Sequence, residues 1–316
     1  MIIGKVHIDK LLTNFALNYQ PSGFIAQDVL TMVPVQHETD MYDTWEQADT
    51  FRAEDAAREK GGLANAVTVR VSSDNYRVRN YELRTQVFAE DRANADPSRR
   101  AMYEQGRVAL TLNKLLMGWE DRQAQLLFNS ANVGSNAAVS SVWTDASNSD
   151  PVGDINTAID NVYYATGYRP NTILMGPKVW DAIMRHNNVI DKAANPNITG
   201  GGKFPTRQMV ANLFEVNELL VGRAVQNTAP NDLAQTLFPV WSNHCLVYYK
   251  SPGVSTTEPT FGATFDWVNA PVPRLAAVRH QPDTRRKSQD ITTGMYQDEK
   301  VTAPNLGFIL TGATTN

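Results

Sequence analysis

A long helical pattern over residues 97–129 constrains the fold more than any other feature of this sequence. Asp96 can cap such a helix, Pro97 suits its first turn, and no further proline follows before Phe128. Apolar residues recur at helical spacing and predict one buried face: Met102, Ala109, Leu112, Leu116, Trp119 and Leu126. At 1.5 Å per residue the helix would be roughly 45–50 Å long. It is therefore either the core helix of an ordinary domain or a structural spine.

The composition bounds the class of protein. The 316 residues, 42% of them hydrophobic and 20% charged, fit an ordered globular chain with one large or two smaller domains. The formal net charge of −4 argues against a surface made wholly for nucleic acid, although it permits a local basic face. No signal-peptide pattern opens the sequence and no run approaches about 18 apolar residues, so we expect neither secretion nor a membrane span.

Residues 1–35 are predicted to form an N-terminal arm. A short apolar cluster at Leu11–Leu17 is broken by Pro21. The run Met32–Val35 is typical of an edge strand, because Pro34 cannot donate a ladder hydrogen bond. The sequence leaves two placements open: the arm packs on its own domain, or it docks on a neighbouring subunit.

The next segment, residues 36–90, begins with an acidic loop. From His37 to Lys60 there are three basic and eight acidic residues, which gives 3 − 8 = −5. The pattern that follows predicts a hairpin, with alternating strands at 67–71 and 76–80 and a turn at Ser72–Asn75. Because a two-stranded hairpin is marginally stable alone in water, we expect it to rest on its own domain or on another chain.

The rest of the chain divides at a linker-like stretch near residues 130–150. Residues 150–255 predict a small α/β module, whose elements are a helix from Asp150 to Gly167, a strand at Asn171–Met175, a helix from Pro177, a helix at Thr206–Phe214, and strands at Leu219–Val225 and Cys245–Tyr249. The pattern then turns to strands at Thr260–Trp267, Arg274–His280, Ser288–Tyr296 and Leu306–Thr311. The order predicts an α+β fold.

Motifs for catalysis, cofactor binding or metal binding are absent from the sequence. The five histidines are far apart, and the single cysteine, Cys245, is predicted to be a buried strand thiol. The run Gly200–Lys203 fails as a phosphate loop, because Asn197 replaces the first glycine and Phe204 replaces the final Ser or Thr. Acidic pairs such as Glu90 with Asp91 lie in solvated loop sequence. We therefore predict no catalytic, cofactor or metal site.

One basic segment stands out near the C-terminus. Five basic residues oppose one acidic residue, Asp283, which gives 5 − 1 = +4. The basic residues are Arg274, Arg279, Arg285, Arg286 and Lys287. The segment is either an ordinary solvated face, a partner for the acidic loop, or a face that meets the phosphates of DNA.

The order of these segments resembles the tailed-phage major capsid fold, which encapsulins share. Four stretches also resemble that family in wording: Asp91–Asp96 before the long helix, Arg169–Gly176, Ala211–Val216 with Leu220–Ala224, and Tyr296–Val301 with Asn305–Phe308. The resemblance covers nearly the whole chain, and the ordered set carries it, since no single motif is diagnostic.

The resemblance implies four structural parts. These are an N-terminal arm at 1–35, an extended loop with a β-hairpin at 36–90, a peripheral domain at 91–149 and 256–316 with the spine helix 97–129 and a β-sheet, and an α/β axial domain at 150–255. It also implies a structural subunit of an icosahedral virus head. Such subunits form pentamers and hexamers that enclose double-stranded DNA. The alternatives are the shell of an encapsulin-like cellular compartment and a cytoplasmic α/β enzyme.

The same resemblance implies the partners. They are other copies of this chain, a portal, packaged DNA on the inner face, and in some cases a decoration protein. A separate scaffolding protein is expected because no long charged helical segment precedes the arm. We expect assembly in the host cytoplasm and a final place in the virion capsid. Residues 45–85 are predicted to overlay a neighbouring subunit. The candidate contacts between subunits are Asp40, Asp43, Glu46, Asp49, Tyr76, Arg77, Arg79, Arg285, Arg286 and Lys287.

Overall fold

Two β-sheets and one long helix organise the described part of the chain. The computed structural model describes residues 7–19, 21–45, 47, 51, 53, 56–58, 60–61, 64, 72–193, 204–230, 233–254 and 258–315. The predicted strand at 67–71 and the glycine-rich loop at 200–203 lie outside the described residues, as do Glu46 and Asp49 of the acidic loop.

Strands and helices are mixed along the chain, as expected of an α+β fold. The strands are β1 (His7–Ile8), β2 (Thr31–Val35), β3 (Thr39–Thr44), β4 (Ser72–Arg77), β5 (Arg79–Phe88), β6 (Ser135–Ala138), β7 (Thr172–Met175), β8 (Glu218–Val221), β9 (Val225–Asn227), β10 (Leu237–Pro239), β11 (Cys245–Tyr248), β12 (Gly262–Trp267), β13 (Ala277–Arg279), β14 (Ser288–Val301) and β15 (Gly307–Thr311). The helices are α1 (Lys10–Asn18), α2 (Ala26–Val29), α3 (Ala89–Asn94), α4 (Arg100–Leu127), α5 (Pro151–Thr166), α6 (Pro177–Arg185), α7 (Asn187–Ala193), α8 (Arg207–Leu213) and a 3₁₀ helix at Pro304–Leu306.

The predicted long helix is confirmed as α4. It runs for 28 residues, which corresponds to about 42 Å at 1.5 Å per residue. The predicted cap is wrong, because Asp96 and Pro97 belong to a turn in which the Arg99 N–H donates to the Asp96 carbonyl at 2.8 Å. The helix therefore begins at Arg100, after the turn.

The buried face of α4 is only partly the predicted one. Leu112 and Trp119 are buried, whereas Met102 is 68% exposed. Four polar side chains are buried on this helix as well: Glu104, Thr111, Glu120 and Gln123. Apolar periodicity cannot identify a charged side chain that is buried together with its own partners. The Glu104 carboxylate meets Arg279, and the Glu120 carboxylate meets backbone N–H groups, so both are stabilised inside the protein.

The first sheet is built on the long strand β14. β5 pairs antiparallel with one edge of β14. On its other edge β13 and β12 pair in succession, β1 adds to β13, and β2 adds in parallel to β12. The prediction of an edge strand at β2 is confirmed, since β2 ends the described sheet and the missing N–H of Pro34 is tolerated there. This sheet and α4 share a hydrophobic cluster that includes Leu112 and Ile291.

The described arm, residues 7–19 and 21–35, packs on its own chain. β1 pairs with β13, and α1 lies against α4 with Leu12 and Ala16 buried. Asp9 caps α1 by accepting the N–H groups of Leu11 and Leu12. Of the two placements that the sequence left open, the structure shows the first for these residues.

The second sheet has the strand order β6-β15-β11-β7-β8. α5 and α6 contribute to its core, a cluster that includes Ile155, Trp180 and Val247. The predicted helix end at Gly167 is confirmed, because this glycine takes a left-handed φ of 76°. The predicted strand thiol is also confirmed: Cys245 is buried in β11, and burial raises the pKa of the thiol.

Two strands of this sheet come from segments that the sequence places elsewhere. β6 lies in the predicted linker, and β15 lies in the C-terminal segment assigned to the peripheral β-sheet. They pair with each other, and β15 also pairs with β11. Phe308, Ile309 and Leu310 are all buried, so β15 is apolar on both faces and suits the interior of a sheet.

The predicted hairpin turn at Ser72–Asn75 is wrong. These residues form most of β4, which pairs antiparallel with β3. Ser, Asp and Asn favour turns, but here side-chain contacts hold them in a strand. The Tyr42 hydroxyl donates to Asp74 at 3.0 Å, and the Lys300 ammonium lies 3.3 Å from the same carboxylate. The hairpin is thus made by β3 and β4, and residues 45–71 connect them.

Candidate interaction surfaces

The described residues bring no catalytic or metal-binding set together. Within them, no group of three or more His, Cys, Asp or Glu side chains could hold a metal ion. The histidines have local roles: His186 shares a hydrogen bond with Ser149 at 3.1 Å, and His280 shares one with Thr292 at 2.9 Å. Each helix in the described ranges is too short or too polar to span a bilayer.

The first surface is the acidic hairpin, formed by β3 and β4. Asp40 and Asp43 are exposed on β3. Across the hairpin, the Asn75 N–H, with Tyr42 and Lys300, holds the pKa of Asp74 below its ordinary value. Among the described strands β3 pairs only with β4, so no described strand covers its second edge. An open edge that carries acidic side chains can meet another chain without inviting general aggregation.

The predicted contact residues at the base of this hairpin separate into one internal residue and two exposed ones. Tyr76 is 5% exposed, and its ring stacks on Phe265 with the centroids 4.7 Å apart. The side chains of Arg77 and Arg79 are exposed, while the Arg77 N–H donates to Asp298 at 2.9 Å. Tyr76 therefore anchors the hairpin to its own subunit, and only the two arginines are available to a partner.

The predicted basic segment also separates into internal and exposed residues. The Arg274 guanidinium lies 5.0 Å from the centre of the Trp119 ring. The Arg279 guanidinium lies 2.7 Å from Asp9 and 2.8 Å from Glu104. These two cations therefore interact with groups of their own subunit. The full charge of +4 predicted for the segment is not exposed on one surface.

The exposed remainder is a basic turn at residues 283–287. Arg285, Arg286 and Lys287 are exposed beside Asp283, which leaves 3 − 1 = +2. The Asp283 carboxylate accepts the N–H groups of Arg285 at 2.9 Å and Arg286 at 3.2 Å, and so fixes the turn. Lys287 closes it with a left-handed φ of 46°, which is uncommon for a residue with a side chain. The turn holds three cations outward just before β14.

The acidic hairpin and the basic turn lie at opposite ends of one β-ladder. Arg79 of β5 pairs with Gln297, and Phe88 pairs with Ser288, which follows the basic turn. The 10 residues of β5 separate the two ends by roughly 30 Å at about 3.3 Å per residue. Electrostatic screening acts over about 8 Å at physiological salt. The two charged surfaces therefore cannot neutralise each other within one subunit.

An aromatic cluster holds the start of the extended loop against the second sheet. Trp45 and Phe51 lie edge-on to Tyr168, with ring centroids 5.6 Å and 5.9 Å away. Tyr168 also contacts Tyr249 at 5.2 Å. Phe51 remains 55% exposed, so the cluster is a partly exposed attachment of the loop to the second sheet.

A third surface, the apolar groove, was missed by the sequence analysis. It lies between β5 and α4, has a volume of about 460 Å³, and includes Leu83, Phe88 and Leu110 with Arg107 and Lys114 at its margin. All three apolar side chains are exposed. The available signal was Leu110, a large apolar residue outside the predicted buried stripe of the helix.

Comparison with known proteins agrees with this architecture. The family described as "Phage major capsid protein E" matches residues 130–292. The major capsid protein of Pseudomonas phage JBD67 is 27% identical over 312 residues, which cover 97% of each chain. A solved phage-related protein of Bordetella bronchiseptica RB50 has a TM-score of 0.73 at 21% identity, with 98% of both chains covered. A capsid structure of cyanophage P-SCSP1u has a TM-score of 0.57 at 10% identity, covering 92% of this chain and 89% of that one.

The mixed α+β fold is that of phage capsid and encapsulin structures. The chain belongs to the phage major capsid protein E family. It is a structural subunit of the virion capsid and not an enzyme, as the sequence resemblance implied. The names of the family and of the relative favour the virus head over a cellular compartment.

Proposed function

We propose that this subunit assembles into pentamers and hexamers that close into an icosahedral shell around double-stranded DNA. The observation that carries the proposal is the placement of opposite charges at the two ends of the β5–β14 ladder. A contact between two different patches of identical subunits is heterologous, and such contacts close into rings when the rotation permits. Complementary charge favours head-to-tail pairing and fixes its register.

The contact joins the acidic hairpin of one subunit to the basic turn of the next. Its proposed members are Asp40, Asp43, Glu46 and Asp49 on the acidic side, and Arg285, Arg286 and Lys287 on the basic side. Arg77 and Arg79 lie at its rim. An exposed ion pair contributes about 0–1 kcal/mol, so each contact is weak. Repetition around a ring makes the sum stable, because each further contact forms at high effective concentration.

The segment proposed to overlay a neighbouring subunit, residues 45–85 in the sequence prediction, is restricted here to residues 52–71. Tyr76 and β5 are paired within their own subunit, and Phe51 packs on its own Tyr168. The apolar groove on the neighbour is the proposed seat of this segment. In the sequence, valines alternate with other residues at 67, 69 and 71, a pattern that predicts an apolar strand face suited to this groove.

The proposed division into parts keeps the arm at 1–35 and the extended loop at 36–90. The peripheral domain, from 91–149 and 256–316, takes α4 and the strands β12, β13 and β14 of the first sheet. The axial domain takes 150–255, and β6 and β15 join its sheet. Pairing of β15 with β11 supports that change, since a sheet is one cooperative unit.

Further partners are proposed on the family resemblance. They are a separate scaffolding protein, a portal, packaged DNA, and a decoration protein in some shells, with assembly in the host cytoplasm. Contact with DNA is the alternative use of the basic turn: if its three exposed cations do not meet the acidic hairpin, they are available to phosphates without regard to sequence.

Electron microscopy of the expressed full-length chain tests the proposal. The chain is imaged alone and with a co-expressed scaffolding protein, at low and at high salt. Shells, or rings of five and six subunits, support it. A chain that stays monomeric under all of these conditions contradicts it.

A further inference from the structure

Glu120 is a buried carboxylate at which three parts of the chain meet. It lies on α4 and is 0% exposed. Its Oε1 atom accepts the N–H groups of Ile25 and Ala26, both at 2.5 Å, at the start of α2 in the arm. Its Oε2 atom accepts the indole N–H of Trp241, which precedes β11 of the second sheet. One side chain thus ties the arm and the second sheet to the spine helix.

Among the described residues, the charge of Glu120 is balanced by N–H donors and not by a cation. The charged group that acts on it is Asp28 of the arm, and it repels the carboxylate. The cations on the surrounding elements are engaged elsewhere: Lys250 with Glu218, Arg122 with Glu299, and Arg274 with Asp266. Arg223 meets the arm through its backbone N–H, which donates to Gly23, and Asp121 accepts the amides of Gln125 and Gln226. Burial, opposed by the three donors, raises the pKa of Glu120.

The two carboxylate oxygens of Glu120 accept different numbers of hydrogen bonds. Oε1 serves the arm with two hydrogen bonds, and Oε2 serves Trp241 with one. A protonated carboxyl keeps one carbonyl oxygen that can accept two N–H groups, while its hydroxyl oxygen has lost the negative charge and is a weaker acceptor. Protonation at Oε2 therefore preserves the two arm bonds and weakens the Trp241 bond.

The packing on the two sides of the Glu120 carboxylate also differs. A cavity of about 320 Å³ lies on the arm side and is lined by Tyr19, Phe24 and Leu116 among others. On the other side the Trp241 ring is seated directly on Gly222, where an added Cβ would lie 1.9 Å from Cδ1 of the ring. Trp241 is 1% exposed. Loss of its hydrogen bond therefore acts on tightly packed residues beside the second sheet.

We propose that Glu120 is a proton-operated latch: when ionised it ties arm and second sheet to the spine helix, and when protonated it releases Trp241 while the arm stays bound. The Trp241 bond favours the ionised form, so by linkage proton binding favours the state in which that bond is absent. Because burial raises the pKa of Glu120, this protonation takes place at a higher pH than it would in an exposed glutamate. The latch lets the second sheet shift against the spine without undocking the arm.

Hydrogen–deuterium exchange of the full-length chain tests the latch at named amides. The Ile25 and Ala26 amides report the arm side. The Gly222 and Val240 amides, which donate to Met175 and Ala224, report the Trp241 side. Glu120→Gln copies the protonated form, because its carbonyl can serve the arm while its NH₂ faces the indole donor. Exchange at Gly222 and Val240 should rise about tenfold, the change that one hydrogen bond produces, and the arm amides should not change.

Two further variants make the test specific. Glu104→Gln is the matched control: the same chemical change on the same helix, at a buried carboxylate that bonds to Arg279, should leave Gly222 and Val240 unchanged. Trp241→Phe removes the indole donor, so Glu120→Gln added to it should give no further rise. In the wild type, lowering the pH should open Gly222 and Val240 after correction for intrinsic exchange, and in Trp241→Phe it should not.

The latch is overturned if Glu120→Gln opens the arm amides together with the Trp241 side. It is also overturned if the effects of Glu120→Gln and Trp241→Phe simply add. If Glu120→Gln does not fold, the pH series decides. A rise at Gly222 and Val240 in the wild type alone supports the latch, and equal behaviour of wild type and Trp241→Phe contradicts it.

Discussion

Two charged regions of this subunit use their charge differently. Where arm, spine helix and first sheet meet, Arg279 is bonded to Asp9 and to the buried Glu104. At the acidic hairpin and the basic turn, Asp40 and Arg285 are exposed and lie at opposite ends of a ladder. Charge that is paired inside a subunit stabilises its fold. Charge that is left exposed, with its complement out of reach, is available for contact with another subunit.

Arg279→Ala gives the largest expected effect. Two carboxylates, Asp9 and Glu104, lose their cation in a poorly solvated place, so the free energy of unfolding should fall by about 3–5 kcal/mol. Urea unfolding of the unassembled full-length chain measures it. Arg285→Ala is the control, and its effect should stay within about 0.5 kcal/mol. If the two variants lose equal stability, the distinction between the two regions fails.

Gly222→Ala should cost less, about 1–3 kcal/mol, because its methyl group overlaps the Trp241 ring in a packed interior. Thermal unfolding of the full-length chain measures the loss. Gly106→Ala is the matched control on α4, where nothing lies within 4 Å of an added Cβ. That variant should gain about 0.5–1 kcal/mol from helix propensity. An unchanged melting temperature in Gly222→Ala would contradict the packing described for Trp241.

The features that could be predicted from the sequence are those set by near neighbours. Pro177 begins α6, Gly167 ends α5, and the apolar period of residues 97–129 marks the long helix. The order of such elements also carried the family resemblance. These signals are local, because a cap, a turn or a period depends on residues a few positions apart.

The features that the sequence analysis missed depend on distant partners. Glu120 is buried because Ile25 and Trp241 donate to it, and neither lies near it in the chain. The basic residues are indistinguishable in the sequence, yet Arg279 is paired with carboxylates inside the subunit and Arg285 is exposed. Tyr76 was predicted as a contact between subunits because the strand that carries it looked unsupported. No local pattern reveals its stacking on Phe265.

A pH series on Glu120→Gln tests how a charge buried inside the subunit affects its stability. Burial raises the pKa of Glu120 above its ordinary 4.5, so the folded state holds this proton more tightly than the unfolded chain. The stability that protonation provides is complete below about pH 4.5 and is lost as the pH rises through the folded-state pKa. Wild-type stability relative to Glu120→Gln should therefore fall as pH rises over this window, measured by urea unfolding at each pH. A relative stability that rises with pH contradicts the direction of the shift.

The double variant Arg285→Glu/Arg286→Glu should have the smallest effect on the fold. Both side chains are exposed, so the free energy of unfolding should change by no more than about 0.5 kcal/mol. Circular dichroism and urea unfolding measure this. A large loss would show that the basic turn supports its own subunit and is not reserved for a partner.

Charge exchange across the proposed contact tests the central claim most directly. Arg285→Glu/Arg286→Glu, Asp40→Lys/Asp43→Lys and the fourfold combination are each assembled at low salt and imaged by electron microscopy. Arg99→Glu/Arg100→Glu, which reverses two exposed bases elsewhere, is the control and should assemble normally. Each double variant at the contact should fail to form rings or shells, because like charges then meet. The fourfold variant should recover, since the complementary pairing is restored with its signs exchanged. Normal shells from either double variant, or no recovery in the fourfold variant, would contradict the account.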